Sequence, residues 1–132
     1  MVYFHGGSFS KGSSLPTGPS QWTPDPRELA STGQVLVITV QYRLGSFGYL
    51  FMDTPEAPGN MGLLDTQMAL KWISNNIGVF GGNPESITVM GQDSGAVLAL
   101  NLFSTSTEKL FSKLILHSGG IQHPWSYVDR SS

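Results

Sequence analysis

A chain of 132 residues with an ordinary apolar fraction has the material for about one domain. Its formal net charge of −2 is spread over few charged residues with no basic run, which excludes a nucleic-acid footprint and a polybasic membrane patch. No cysteine is present to build a disulfide framework, Asn83 is followed by Pro84 so that no glycosylation sequon occurs, and no apolar run approaches the roughly 18 residues of a membrane span.

In chain order, Met1-Val2-Tyr3-Phe4 reads as the interior of a strand with no start signal before it, and His5-Gly6-Gly7-Ser8-Phe9 leaves it as a glycine loop. Residues 10–20 are rich in Gly, Ser and Pro and are expected to form a surface loop. A short helix is expected over residues 24–30, ending at Gly33, with Pro26 tolerated in the first turn because that amide has no intrahelical partner. Val35-Leu36-Val37-Ile38-Thr39-Val40 is continuously apolar and β-branched apart from one threonine, the pattern of a strand buried on both faces of a parallel sheet. Residues 41–48 and 53–59 read as connections.

Leu64, Met68 and Trp72 recur every four residues, widened by Leu63, Leu70, Ile73 and Ile77, and predict an amphipathic helix over residues 61–77 with Gly78 as its left-handed C-terminal cap. A turn at Phe80-Gly81-Gly82-Asn83-Pro84 precedes the strand Ile87-Thr88-Val89-Met90. The uniformly apolar Ala96-Val97-Leu98-Ala99-Leu100 predicts a buried helix running to about residue 103, and residues 113–118 predict a further strand closed by Gly119 and Gly120. The alternation of strands and helices is that of an α/β protein with a parallel sheet. The chain opens inside a strand and stops in a polar loop, so residues 1–132 are read as one partial domain truncated at both ends.

Between the third strand and its helix lies Gly91-Gln92-Asp93-Ser94-Gly95, which has the glycines of a G-x-S-x-G nucleophile elbow with aspartate at its centre. Glycines stand two residues either side of such an apex because the turn is tight and the strand and helix backbones pass close together. Sliding the frame so that Ser94 becomes the apex puts Gln92 and Ala96 in those crowded positions and turns the serine by roughly 100° about the helix start. That frame is rejected. Asp93 is read first as a structural N-cap, since aspartate accepts bonds from the free amides of a helix and tolerates positive φ. A second reading makes it a carboxylate nucleophile, as in the dehalogenase and epoxide hydrolase branches of the α/β-hydrolase fold.

Five stretches together resemble the type B carboxylesterase and cholinesterase family of α/β-hydrolases. They are Val2-Tyr3-Phe4-His5-Gly6-Gly7-Ser8-Phe9, Gln41-Tyr42-Arg43-Leu44-Gly45, Gly59-Asn60-Met61-Gly62-Leu63-Leu64-Asp65, Asn76-Ile77-Gly78-Val79-Phe80-Gly81-Gly82-Asn83-Pro84, and Leu116-His117-Ser118-Gly119 with Pro124-Trp125. The resemblance implies an α/β-hydrolase fold in a secreted or membrane-anchored extracellular protein. In that family the serine of a G-E-S-A-G elbow attacks an ester, a histidine takes its proton and a glutamate orients the histidine. The latter two come from later in the chain and fall on no residue here.

By the same resemblance, the amides of Gly7, Ser8 and Ser94 form an oxyanion hole, which uses backbone and so survives side-chain changes. Gln92 replaces a glutamate near the substrate's cationic head. Trp125 matches a tryptophan of the acyl pocket, although a tryptophan beside proline is more often core. Arg43 and Asp65 match a pair able to form a buried salt bridge, a structural role shared with Gly91 and Gly95. His5, His117 and His123 have no metal-ligand spacing, and neither metal nor cofactor is expected.

Removing the nucleophile of a serine hydrolase typically costs on the order of a millionfold in turnover. The expected function is therefore that of a catalytically silent, cholinesterase-like domain of the neuroligin, neurotactin or gliotactin kind, used for extracellular recognition or adhesion with protein partners. The alternative is an active carboxylester hydrolase acting on a small carboxylic ester.

Overall fold

The computed structural model describes residues 1–16 and 23–127. Residues 17–20 of the expected loop and residues 128–132 of the expected polar end lie outside the described residues. The elements in chain order are β1 (Val2–Phe4), α1 (Arg27–Gly33), β2 (Ile38–Val40), α2 (Gly45–Tyr49), β3 (Phe51–Thr54), β4 (Ala57–Pro58), α3 (Met61–Asn76), β5 (Thr88–Gln92), α4 (Ser94–Thr105) and β6 (Lys113–His117).

Four strands form one sheet in the spatial order β2-β1-β5-β6, and each neighbouring pair is parallel. The chain therefore steps from β1 to β2 on one side and returns past β1 to place β5 on the other. This reversal makes the gap between β1 and β5 a topological switch point, where loops leaving the carboxyl ends of two adjacent strands diverge and open a crevice. The register pairs Phe4 with Gly91, so the glycine loop after β1 and the elbow after β5 leave the sheet side by side.

The core gathers Val2, Phe4 and Val40 from the sheet, Leu70, Ile73 and Ile77 from the α3 region, and Leu98, Ala99 and Leu102 from α4. Helix α4 is buried on nearly every side from Ser94 to Ala99, as its uniformly apolar sequence predicts. Among the described residues, no helix is long and apolar enough to cross a membrane.

Several local expectations need correction. The strand expected over residues 35–40 is confined to Ile38–Val40 at the sheet edge, with Val35 and Leu36 exposed. Ile38 and Thr39 are only half-buried, so the strand is not buried on both faces as expected. The stretches 41–48 and 53–59, expected as connections, are partly taken up by the short helix α2 and by an antiparallel hairpin of β3 and β4. Helix α1 starts after Pro26, which occupies its cap rather than its first turn, and a left-handed Gln34 closes it.

Helix α3 has nearly the expected span and buries the Leu70, Ile73 and Ile77 part of the expected stripe, but not its Leu64, Met68 and Trp72. Gly62, Thr66, Leu70 and Ile73 are buried, while Leu64, Met68 and Trp72 are 51%, 71% and 56% exposed. Glycine at position 62 is what allows the approach, because a methyl there would run into the Tyr49 ring and the Arg43 carbonyl. Gly78 does not supply the left-handed cap; the helix passes into a 3-10 turn over Ile77–Phe80, and Gly81 closes it at φ 81°. These burial differences set a stability contrast. Leu70→Ala is expected to cost about 2–5 kcal/mol, whereas Met68→Ala changes stability by less than about 0.5 kcal/mol, as measured by denaturant unfolding of the full-length protein.

Candidate active site at the strand-helix elbow

Strand β5 extends through Gly91 and Gln92, and α4 begins at Ser94, so Asp93 alone makes the turn. It does so at φ 52° and ψ −122°, outside the regions most residues occupy. The glycines around it are required by contact. A methyl on Gly91 would overlap the backbone of Gly95 and Ala96, one on Gly95 would overlap the carbonyls of Phe4 and His5, and one on Gly119 would overlap the Asp93 carbonyl. The Asp93 amide donates to the His117 carbonyl at 2.9 Å, which ties the apex to the end of β6. Asp93 is thus the apex, and the fully buried Ser94 points inward beside the Tyr42 hydroxyl without a regular hydrogen bond to it.

The Asp93 carboxylate does not cap α4: it makes no side-chain capping bond. Its Oδ2 instead accepts hydrogen bonds from the amides of Gly7 and Ser8, each at 2.9 Å, with the Ser94 amide adding a further pull. The three amides assigned by resemblance to an oxyanion hole therefore converge on the apex side chain of their own chain. Partial burial pushes the carboxyl upward, but the Gly7, Ser8 and Ser94 amides outweigh it and hold Asp93 below the ordinary aspartate value. A carboxylate so stabilised is a weaker base and a weaker nucleophile.

The loop that presents these amides is held by its own bonds. Gly7, Ser8 and Phe9 have φ of 128°, 52° and 60°. The Gly7 carbonyl accepts from the Ser10 and Lys11 amides at 3.0 and 3.1 Å. Beneath it, His5 is wholly buried, stacked on Tyr42 at 4.5 Å, with Nδ1 2.8 Å from the Gly6 carbonyl oxygen. Burial lowers its pKa below the usual histidine value, against an upward pull from Gly6. Tyr42 donates its hydroxyl to the His5 carbonyl at 2.6 Å. His5 is a core residue supporting the loop.

The remaining candidates are dispersed. Gln92 is tied through Oε1 to the Tyr3 hydroxyl at 2.9 Å. Trp125 is 42% exposed rather than core, and stacks on His123 at 5.3 Å with Phe9 at 6.3 Å. Arg43 and Asp65 form a bidentate pair at 2.7 and 2.8 Å, and the Arg43 amide also donates to Asp65. The pair is not buried as expected, since its side chains are 54% and 23% exposed. It joins the segment after β2 to the N-terminal half of α3. An open depression of about 600 Å³ lined by Leu100, Gly120, Ile121, Gln122 and His123 includes none of Gln92, Trp125, Arg43 and Asp65. Among the described residues, no group of His, Cys, Asp and Glu is arranged to hold a metal. Gly6 and Gly119, which the sequence marks only as glycines following strand ends, also crowd the apex: a methyl on either would meet Asp93.

The family model described as "Carboxylesterase family" matches residues 1–132. The chain is 47% identical to acetylcholinesterase 4 of Caenorhabditis briggsae over 127 residues, which is 96% of this chain and 20% of that protein. It is 45% identical to acetylcholinesterase of Bungarus fasciatus over 130 residues, 97% of this chain and 21% of that protein. With cholinesterase of Mus musculus it shares 44% identity over 129 residues, 96% of this chain and 20% of that protein. The chain thus spans about a fifth of the length of the curated relatives it matches.

Two predictions follow from the geometry at the apex. Gly95→Ala is expected to destabilise by about 1–3 kcal/mol or more through overpacking, while Gly78→Ala, with open space around it, is expected to be neutral or stabilising by up to about 1 kcal/mol; chemical denaturation distinguishes them. The folded-state value of Asp93 is depressed, so its stabilisation is fully present above the unfolded value of about 3.9 and is lost as pH falls through the folded value. The stability gap between the parent and Asp93→Asn should therefore stay constant above about pH 5 and narrow in stronger acid.

Proposed function

Because the chain belongs to the carboxylesterase family, we propose that it is a cholinesterase-like or carboxylesterase-like domain that does not turn over esters and whose fold serves recognition or adhesion outside the cell. Its parallel sheet and packed helices are part of an α/β-hydrolase fold. One observation carries the silent reading: the elbow apex is a carboxylate already bonded to the Gly7 and Ser8 amides. An ester bound there meets no hydroxyl to attack it at the apex, and its carbonyl oxygen has to compete with Oδ2 for the same two donors. The scaffold around the apex is nevertheless kept to close tolerance, which favours a use for the fold other than turnover. Protein partners at the outer surface are part of this proposal.

A second reading, an active carboxylester hydrolase, is favoured by the 44–47% identity to relatives named for cholinesterase and by the amide loop itself. The two separate in one experiment on the full-length protein, exposed to a fluorophosphonate probe and to a generic acyl ester. The silent reading expects no covalent labelling at residues 91–95 and turnover about a millionfold below that of a serine hydrolase. Labelling at the elbow sinks it, and turnover that Asp93→Ala abolishes assigns the carboxylate a nucleophilic role instead.

A further inference from the structure

We propose that the loop and elbow form a carboxylate-binding cradle whose resident ligand is the chain's own Asp93, and that the cradle emptied of that side chain takes up a small free carboxylate. The proposal rests on the silent reading of the elbow and assigns that site a ligand class. Two amides from one loop meet a single carboxylate oxygen at 2.9 Å each, a convergence found in backbone anion sites.

The cradle does not owe its shape to Asp93. Its three consecutive positive-φ residues, Gly7, Ser8 and Phe9, are closed by hydrogen bonds from Ser10 and Lys11 to the Gly7 carbonyl. From below, the buried stack of His5 on Tyr42 supports it. On the other side, Gly91, Gly95 and Gly119 leave the apex backbone no room to move inward. Removing the side chain leaves the two donors in place facing water, and an incoming anion competes with that water because hydrogen bonds to an ionised oxygen are roughly twice as strong as neutral ones.

The chemistry of the vacated space selects the ligand. An aspartate side chain is an acetate unit attached at the α-carbon, so Asp93→Gly removes the volume and charge of one acetate. Glycine also adopts a φ of 52° without strain, which makes this variant the one most compatible with the native backbone. Asp93→Ala removes only the carboxylate and matches formate.

The test is thermal unfolding of the full-length protein and both variants at neutral pH, with sodium acetate or formate titrated against sodium chloride at matched ionic strength. The expected result is a lowered midpoint for Asp93→Gly that acetate raises saturably and chloride does not, with the parent unmoved. Saturation should fall at millimolar acetate, since a four-atom ligand binds no tighter than about 0.04 mM. Asp93→Ala should respond more strongly to formate than to acetate. Equal shifts in parent and variants, or no carboxylate-specific shift in either variant, overturn the proposal. Failure of both variants to fold even in about 200 mM carboxylate overturns it too, because rescue by mass action is what the cradle predicts. Probe labelling of the parent would defeat the silent reading alone, while an absent carboxylate response in the variants would defeat the cradle alone.

Discussion

The contact on which the site depends is the pair of hydrogen bonds from Gly7 and Ser8 to the Asp93 carboxylate. It spans residues 86 and 85 apart and closes the crevice between two loops that leave adjacent strands. Parallel pairing of β1 with β5 brings those loops level. The elbow glycines then let the chain reverse within one residue, and the bond to His117 fixes the apex against β6. Desolvation alone would push the carboxyl upward. The amides of Gly7, Ser8 and Ser94 outweigh it and hold the carboxyl below the ordinary aspartate value.

A tethered carboxylate has an advantage over any diffusing ligand for the same donors. It is held next to them by covalent geometry, so its effective concentration is high and it has little entropy left to lose on binding. A neutral ester carbonyl is also the weaker acceptor, because hydrogen bonds to an ionised oxygen are roughly twice as strong as neutral ones. Silence in the proposed function therefore has two sources. One is the absence of a hydroxyl at the apex, and the other is competition for the donors. A substitution that restored only the nucleophile would also clear the donors, because both sources reside in one side chain.

Much of this was legible in the residues. The strand before the elbow, the buried helix after it and the glycine spacing place the apex correctly, because strand periodicity and close backbone approach are local properties. The face of α3 was legible only in part. Leu64, Met68 and Trp72 form the more apolar stripe, yet the helix buries Gly62 and Thr66 with Leu70 and Ile73. That choice is tertiary: only glycine at 62 lets Tyr49 and the Arg43 carbonyl come so close. The edge position of β2 was equally hidden, since a run of β-branched residues specifies extended backbone but not the number of neighbours.

The role of Asp93 shows where local reading stops. Aspartate before a helix is a frequent N-cap, and nothing in the neighbouring residues argues otherwise. A capping residue, however, has extended backbone, which swings its side chain over the second and third amides of the helix. At φ 52° and ψ −122° the side chain of Asp93 is aimed elsewhere. The elbow geometry that would present a nucleophile to a substrate is thus incompatible with capping, and it delivers whatever side chain stands at the apex to the loop amides. A serine there leaves them open to a substrate; an aspartate reaches them itself. The outcome follows from one residue's reach across the switch point, and only the long-range pairing of β1 with β5 makes that reach visible.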